Sequence, residues 1–312
     1  MSRVGISTVA GAAFALAVAL AAARVGEKAG ALSNWQALIL GIVQGLTELL
    51  PISSSGHLIL VPWLGDWDYL KHHDEFNQTF DVALHLGTLV AVVAYFRHDV
   101  LRLVTAFVTT VRRRRIESPD ERVAWFVILA TIPAAAAGAA GEGFIADNLG
   151  EPWQIAILLA VFGVILWATD RRPETREMHE LGPWTALAIG IAQTLALAPG
   201  VSRAGVTISA ARFLGLDRNS AARFSFLLLI PTVFGAVLLK GITDVLLADL
   251  PPGSAGPFVV GMIAAAVSGL AAIWALLGYL RRHDYSLFAV YRLLVAAIVL
   301  LLIATGVRDA GF

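Results

Sequence analysis

Between Gln44 and His57 the chain reads QGLTELLPISSSGH. A carboxylate (Glu48), three successive hydroxyls (Ser53, Ser54 and Ser55) and an imidazole (His57) gather around Pro51. On a helix Gln44 and Glu48, four residues apart, share a face. Pro51 should stop that helix, Gly56 should let the backbone turn, and the next helix should begin near His57. Hydroxyls and free N–H groups at a helix start form an anion site. With a carboxylate and an imidazole beside it, such a site suits phosphoryl chemistry. Ser54, His57 and a metal-bound water all stand as nucleophiles, with Glu48 as proton acceptor or cation ligand. Ser53 and Ser55 supply further hydroxyls.

The second stretch, PGVSRAGVTIS at 199–209, brings the missing positive charge. Arg203 is the only Lys or Arg between Arg176 and Arg212. A guanidinium grips phosphate oxygens through two parallel N–H bonds and stays charged. Gly200 and Gly205 permit close backbone approach, and Ser202 and Thr207 add hydroxyls for a bound phosphate. Two plainer readings compete. Ser and Thr in membrane helices often bond only to backbone, and Glu48 and Arg203 could form a purely structural pair. Charges within a membrane segment are nevertheless functional by default.

These residues lie in a lipid-soluble chain. Of 312 residues, 58% are hydrophobic and 15% charged, against about 25% charged in soluble domains. The mean hydropathy of +0.75 points to an all-α polytopic membrane protein. The formal net charge is zero, so no basic field points to nucleic acid. With no cysteine, disulfides, thiolate catalysis and Cys-ligated metals are excluded. Spanning segments are expected at 79–96, 123–141, 153–169, 222–240, 258–280 and 287–306. The apolar run 4–24 within residues 1–34, uncharged up to Arg24, reads as an extra helix or a signal-like segment. HHDE at 72–75 reads as a solvated connector, and RRRR at 112–115 as an anchor for anionic headgroups.

Two apolar regions, 35–64 and 184–215, are each broken in the middle by LLPISSSG and LAPGVSRAG. Non-helical backbone at membrane depth survives only when buried in protein or lining a cavity, so both read as re-entrant hairpins. A slide of 149 residues superposes them: Gly41 on Gly190, Ile42 on Ile191, Gln44 on Gln193, Leu46 on Leu195, Ser53 on Ser202 and Gly56 on Gly205. Three spanning segments follow each hairpin. The chain thus reads as two inverted-topology repeats, 35–169 and 184–306, whose hairpins meet near the midplane.

The paired motifs resemble the two signature regions of the bacterial undecaprenyl-pyrophosphate phosphatases, also called bacitracin-resistance proteins. The likeness runs from about 35 to 306 and includes YRLLVAA at 291–297. It implies a cell-membrane hydrolase that converts undecaprenyl pyrophosphate to the monophosphate carrier for peptidoglycan synthesis. It further implies functional roles for Gln44, Glu48, His57, the Ser53–Ser54 pair and Arg203, with Glu48, Ser54, His57 and Arg203 catalytic. Ser55, Gly200, Ser202, Gly205 and Thr207 join the substrate site on the reading of the residues given above. A divalent cation, Mg2+ or Ca2+, would be held by Glu48 and Gln44. The partners implied are the polyprenyl pyrophosphate lipid and the bilayer, with a homodimer left open. Where the family reads Ser-Arg-Ser this chain has Ala204, one hydroxyl fewer beside the clamp. A lipid-phosphate transporter and a non-catalytic lipid-binding paralogue are the competing readings.

Charge sets the expected orientation. Loop 97–122 carries seven arginines, 170–180 holds Arg171, Arg172 and Arg176, and 281–285 holds Arg281 and Arg282. Loops 142–152 and 241–257 carry acids and no Lys or Arg. The positive-inside rule puts the arginine loops in the cytoplasm. Because the chain has no cysteine, an Arg115→Cys protein in intact cells should resist a membrane-impermeant thiol reagent until the cells are lysed. Labelling from outside would overturn the orientation.

Overall fold

The computed structural model describes residues 32–67, 74–240 and 255–311. The apolar run 4–24, His72 and His73 of the HHDE stretch, and positions 241–254 lie outside them. The chain folds as α1 (Asn34–Leu49), α2 (Ser54–Gly65), α3 (Asp74–Tyr95), α4 (Arg97–Arg113), α5 (Pro119–Asn148) and α6 (Pro152–Asp170). These are followed by α7 (Pro183–Thr194), α8 (Arg203–Phe213), α9 (Arg218–Lys240), α10 (Ala255–Leu280) and α11 (Ser286–Ala304). Among the described residues there is no β-strand, only one parallel bridge between Arg176 and Leu216. Among the described residues six helices, α3, α5, α6, α9, α10 and α11, are long and apolar enough to cross a membrane, and each overlaps one of the six expected spans. The protein is a multi-pass membrane protein.

The broken regions are pairs of short helices. Ser33 caps α1 reciprocally with Gln36: Gln36 N–H donates to Ser33 Oγ at 3.2 Å and Ser33 N–H to Gln36 Oε1 at 2.9 Å. The helix stops at Leu50, one residue before Pro51. The second arm starts at Ser54 rather than near His57, because Ser53 takes the turn that Gly56 was expected to make. Ser53 has φ 77° and caps α2, accepting from Gly56 N–H. Ser202 has φ 76° and caps α8, accepting from Gly205 N–H. Positive φ is costly for a residue with a Cβ. At both positions the hydroxyl offsets part of that cost by satisfying a helix-start N–H.

Small residues let helices approach closely where lipid supplies no hydrophobic drive between them. α10 packs on both α1 and α3. A Cβ on Gly41 would stand 2.3 Å from Gly261 O, and one on Gly87 2.3 Å from Met262 O. α7 packs on α5 in the same manner, a Cβ on Gly190 falling 2.5 Å from Ala130 O. α9 lies against α3, and α11 against α6.

Loop 97–122 differs from expectation, since most of it is helix α4. Asp99 in its first turn and Arg112 and Arg113 in its last complement the helix dipole. Leu103 and Thr110 are buried against α5, where Trp125 Nε1 donates to Thr110 Oγ1 at 2.9 Å. Arg223 on α9 holds Asp99 at 2.8 Å. The arginines that mark this segment as a surface connector are also good helix formers.

Gly190→Ala should lower the melting temperature in detergent, because overpacking against a backbone costs about 1–3 kcal/mol. Gly278→Ala is the control, since nothing lies within 4 Å of the added Cβ. Equal melting of the two variants would contradict the close α7–α5 contact.

Candidate active site

The two breaks, 50–53 and 198–202, meet through side chain and backbone. Gly200 N–H donates to Ser53 Oγ at 3.1 Å across a sequence separation of 147 residues. Gly200 is required there: its φ is +103°, and a Cβ would lie 2.9 Å from Ile155 O. This junction brings Glu48 of the first hairpin against Arg203 of the second.

Glu48 is buried and both its oxygens are engaged. Oε1 accepts from Arg203 Nη2 at 2.9 Å, and Oε2 accepts from Ser54 Oγ at 2.5 Å. His85 on α3 places Nε2 3.6 Å from the same Oε2. Its Nδ1 donates to Asp81 O at 2.7 Å, which turns Nε2 toward the carboxylate. The His85 side chain is 30% exposed while that of Glu48 is 6% exposed, so the open side of the cluster lies along α3. Arg203 is anchored from behind: Nη1 donates to Ser225 O at 2.7 Å, and Ser225 Oγ accepts from Thr207 Oγ1 at 2.7 Å.

His57 stands differently. Its Nδ1 is 2.7 Å from Ser53 O, which only accepts, so the proton sits on Nδ1. In the neutral ring Nε2 then accepts from the Tyr291 hydroxyl at 2.8 Å, and the two rings stack with centroids 5.7 Å apart. Among the described residues no hydrogen bond joins His57 to Ser54 or Glu48. The hydroxyl–carboxylate contact belongs to Ser54 and Glu48.

The other expected site residues divide. Ser53 and Ser202 serve the breaks as caps, and Ser55 Oγ lies 3.5 Å from Ser53 Oγ. Thr207 donates back to Arg203 O at 2.8 Å as well as to Ser225. Gly205 makes room for Arg292, whose Nη1 would lie 2.8 Å from an added Cβ. Ala204 is buried and packed within the main apolar core. Gln44 and its counterpart Gln193 are buried, and among the described residues the amide N and O of each have no hydrogen-bond partner.

Sequence reasoning missed Ser225, Tyr291 and Arg292, and left His85 open between lining the site entrance and sitting at the interface. Buried polar residues on apolar spans were the available signal. Arg292 in particular is the only Lys or Arg between Arg282 and Arg308.

The profile of the bacitracin resistance protein BacA matches residues 37–298. The chain belongs to the BacA family. Among its relatives, the undecaprenyl-diphosphatase of Geobacter sulfurreducens is 46% identical over 266 residues, covering 85% of this chain and 96% of the relative. That of Moorella thermoacetica is 44% identical over 266 residues, covering 85% and 95%. That of Pelotomaculum thermopropionicum is 42% identical over 280 residues, covering 89% and 99%. In this BacA-family chain the match spans both breaks and the Tyr291–Arg292 pair.

Proposed function

We propose that the protein is an undecaprenyl-pyrophosphate phosphatase of the bacterial cell membrane, recycling the lipid carrier for cell-wall synthesis. The observation that carries the reading is the Ser54–Glu48–Arg203 chain: a hydroxyl on a carboxylate at 2.5 Å, itself paired with a guanidinium at 2.9 Å. The named activity of relatives that align over nearly their whole length supports the same reading.

In this mechanism Ser54 Oγ attacks the terminal phosphorus and its proton passes to Glu48 Oε2. The bridging P–O bond breaks, undecaprenyl phosphate leaves, and the phosphate rests on Ser54. Glu48 passes this first proton to the departing undecaprenyl phosphate. It then takes a proton from the water that attacks the phosphorus on Ser54, and returns it to Ser54 Oγ as the Ser–O–P bond breaks and inorganic phosphate leaves. Arg203 neutralises charge on the terminal phosphate, the incoming phosphate oxygens taking over from Glu48 as its partners. His57, fixed by Ser53 and Tyr291, supports the first break behind Ser54.

A divalent cation, Mg2+ or Ca2+, fits the site as a companion of the pyrophosphate. Among the described residues no group of three His, Cys, Asp or Glu could hold one unaided. Gln44 nevertheless offers a buried amide oxygen without a partner, one turn before Glu48. Hard cations of this kind bind through one or two protein oxygens plus substrate phosphates, so Gln44 and Glu48 would hold it, and it would supply charge neutralisation. Chelation with EDTA should depress phosphate release at least about ten-fold, reversed by added Mg2+ or Ca2+. Full activity in EDTA would remove the cation from this account.

The finer architecture belongs to the same reading. Two inverted repeats, 35–169 and 184–306, with re-entrant hairpins 35–64 and 184–215, account for several paired features. Ser53 and Ser202 share φ near 77°, Gly41 meets α10 as Gly190 meets α5, and the hairpin exits are tied alike. Asp66 after α2 binds Arg308 beyond α11 at 2.8 Å, while Arg212 on α8 binds Asp170 at the end of α6 at 3.1 Å.

Purified protein in detergent, where transport has no meaning, should release phosphate from undecaprenyl pyrophosphate. Rapid acid quench should trap acid-stable phosphoserine that is absent from Ser54→Ala. An acid-labile label lost only in His57→Ala would move the nucleophile to His57. Tight substrate binding with no phosphate released would favour a transporter or a non-catalytic paralogue instead.

A further inference from the structure

Arg292 on α11 is fully buried, and among the described residues no carboxylate pairs with it. Its partners are backbone carbonyls on three segments. Nη1 donates to Pro51 O at 3.2 Å in the first break. Nη2 donates to Gly200 O at 2.8 Å and Val201 O at 3.0 Å in the second. Nε donates to Leu159 O at 3.1 Å in the middle of α6. A helix that stops in a buried place leaves carbonyls without donors, and here one side chain serves both stops.

The surroundings are shaped for this group. A Cβ on Gly163 of α6 would stand 3.2 Å from Arg292 Cβ, and one on Gly205 of α8 2.8 Å from Nη1. The fork matters as much as the charge. Three nitrogens point in divergent directions from one rigid plane, whereas a lysine ammonium is a single point on a flexible stem. Pro51 lies three residues before Ser54, and Gly200 lies three before Arg203. Beside the Ser53–Gly200 bond, this guanidinium therefore links the backbone that leads into Ser54 to the backbone that leads into Arg203.

We propose that Arg292 is a positioning residue that holds the two helix breaks in register, so that nucleophile and clamp converge on one pyrophosphate. It touches no substrate, and the proposal rests on the phosphatase reading. A pin needed only for folding would change stability alone. A register pin changes the rate of the bound complex while leaving binding nearly intact, because a misplacement of about 1 Å can cost about a hundred-fold in rate.

The test uses Arg292→Lys in the full chain. For folded, monodisperse protein in detergent, kcat should fall about ten- to a hundred-fold with KM within about three-fold of wild type. A second readout needs no turnover. Trp35 and Phe213 are exposed on the arms of the two hairpins, and the chain has no native cysteine. Spin labels at Trp35→Cys and Phe213→Cys should give one narrow distance in the wild-type background and a broadened or shifted one with Arg292→Lys. Unchanged kcat, or lost kcat with an unchanged distance distribution, overturns the proposal. If Arg292→Lys does not fold, Gly163→Ala carries the test, since its methyl group presses on Arg292 without removing it. The same kcat loss at steady KM and the same broadening are expected, and wild-type values for both overturn the proposal. Absence of phosphate release by the unmodified protein would overturn the phosphatase reading alone, because the distance measurement still decides on register.

Discussion

A helix that ends inside a protein buried in a membrane has no water to satisfy its last carbonyls or its successor's first N–H groups. That constraint shapes the centre of this molecule. Ser53 and Ser202, both with positive φ, cap the helices that resume after each break. Ser53 also receives Gly200 N–H from the other break, and Arg292 answers the carbonyls of both. The polar groups that make the breaks tolerable also bind the two hairpins to each other.

Charge is handled by the same economy of partners. Glu48 arrives on the first hairpin and Arg203 on the second, and among the described residues neither has another ionic partner as close. An unpaired charge at that depth is expensive, so pairing favours the assembled hairpins. The carboxylate that pairs with Arg203 also accepts the Ser54 hydroxyl. In the proposed reaction a pyrophosphate would bring negative charge that competes with Glu48 for the guanidinium.

Away from the site, a second polar knot fastens the end of α6. Asp170 accepts from Arg212, from Arg218 and from Tyr285 N–H, and Arg212 also reaches Leu216 O. This knot ties the exit of the second hairpin to α6 and the start of α11. Asp66 and Arg308 do the corresponding work at the exit of the first. The hairpin tips and hairpin exits are thus both held by arginines, so the short helices between them have little freedom to slide.

Much of this was legible in the chain itself. Hydropathy located the six spans, since an apolar run of helix length has few alternatives in lipid. Pro51 and Pro199, with their serine and glycine neighbours, located the breaks, and the lone charges Glu48 and Arg203 marked the site. Spacing could not say which hydroxyl meets Glu48, because Ser53, Ser54 and Ser55 differ only in the direction each leaves the turn. That direction follows from the positive φ of Ser53, which moves the helix start to Ser54. Nor could spacing foresee Ser225, Tyr291 or Arg292, or the inward turn of His85. Each acts on a partner far away in the chain, and such contacts exist only once the helices pack. Local chemistry and periodicity are written in the sequence; which polar groups face one another across helices is decided by tertiary packing alone.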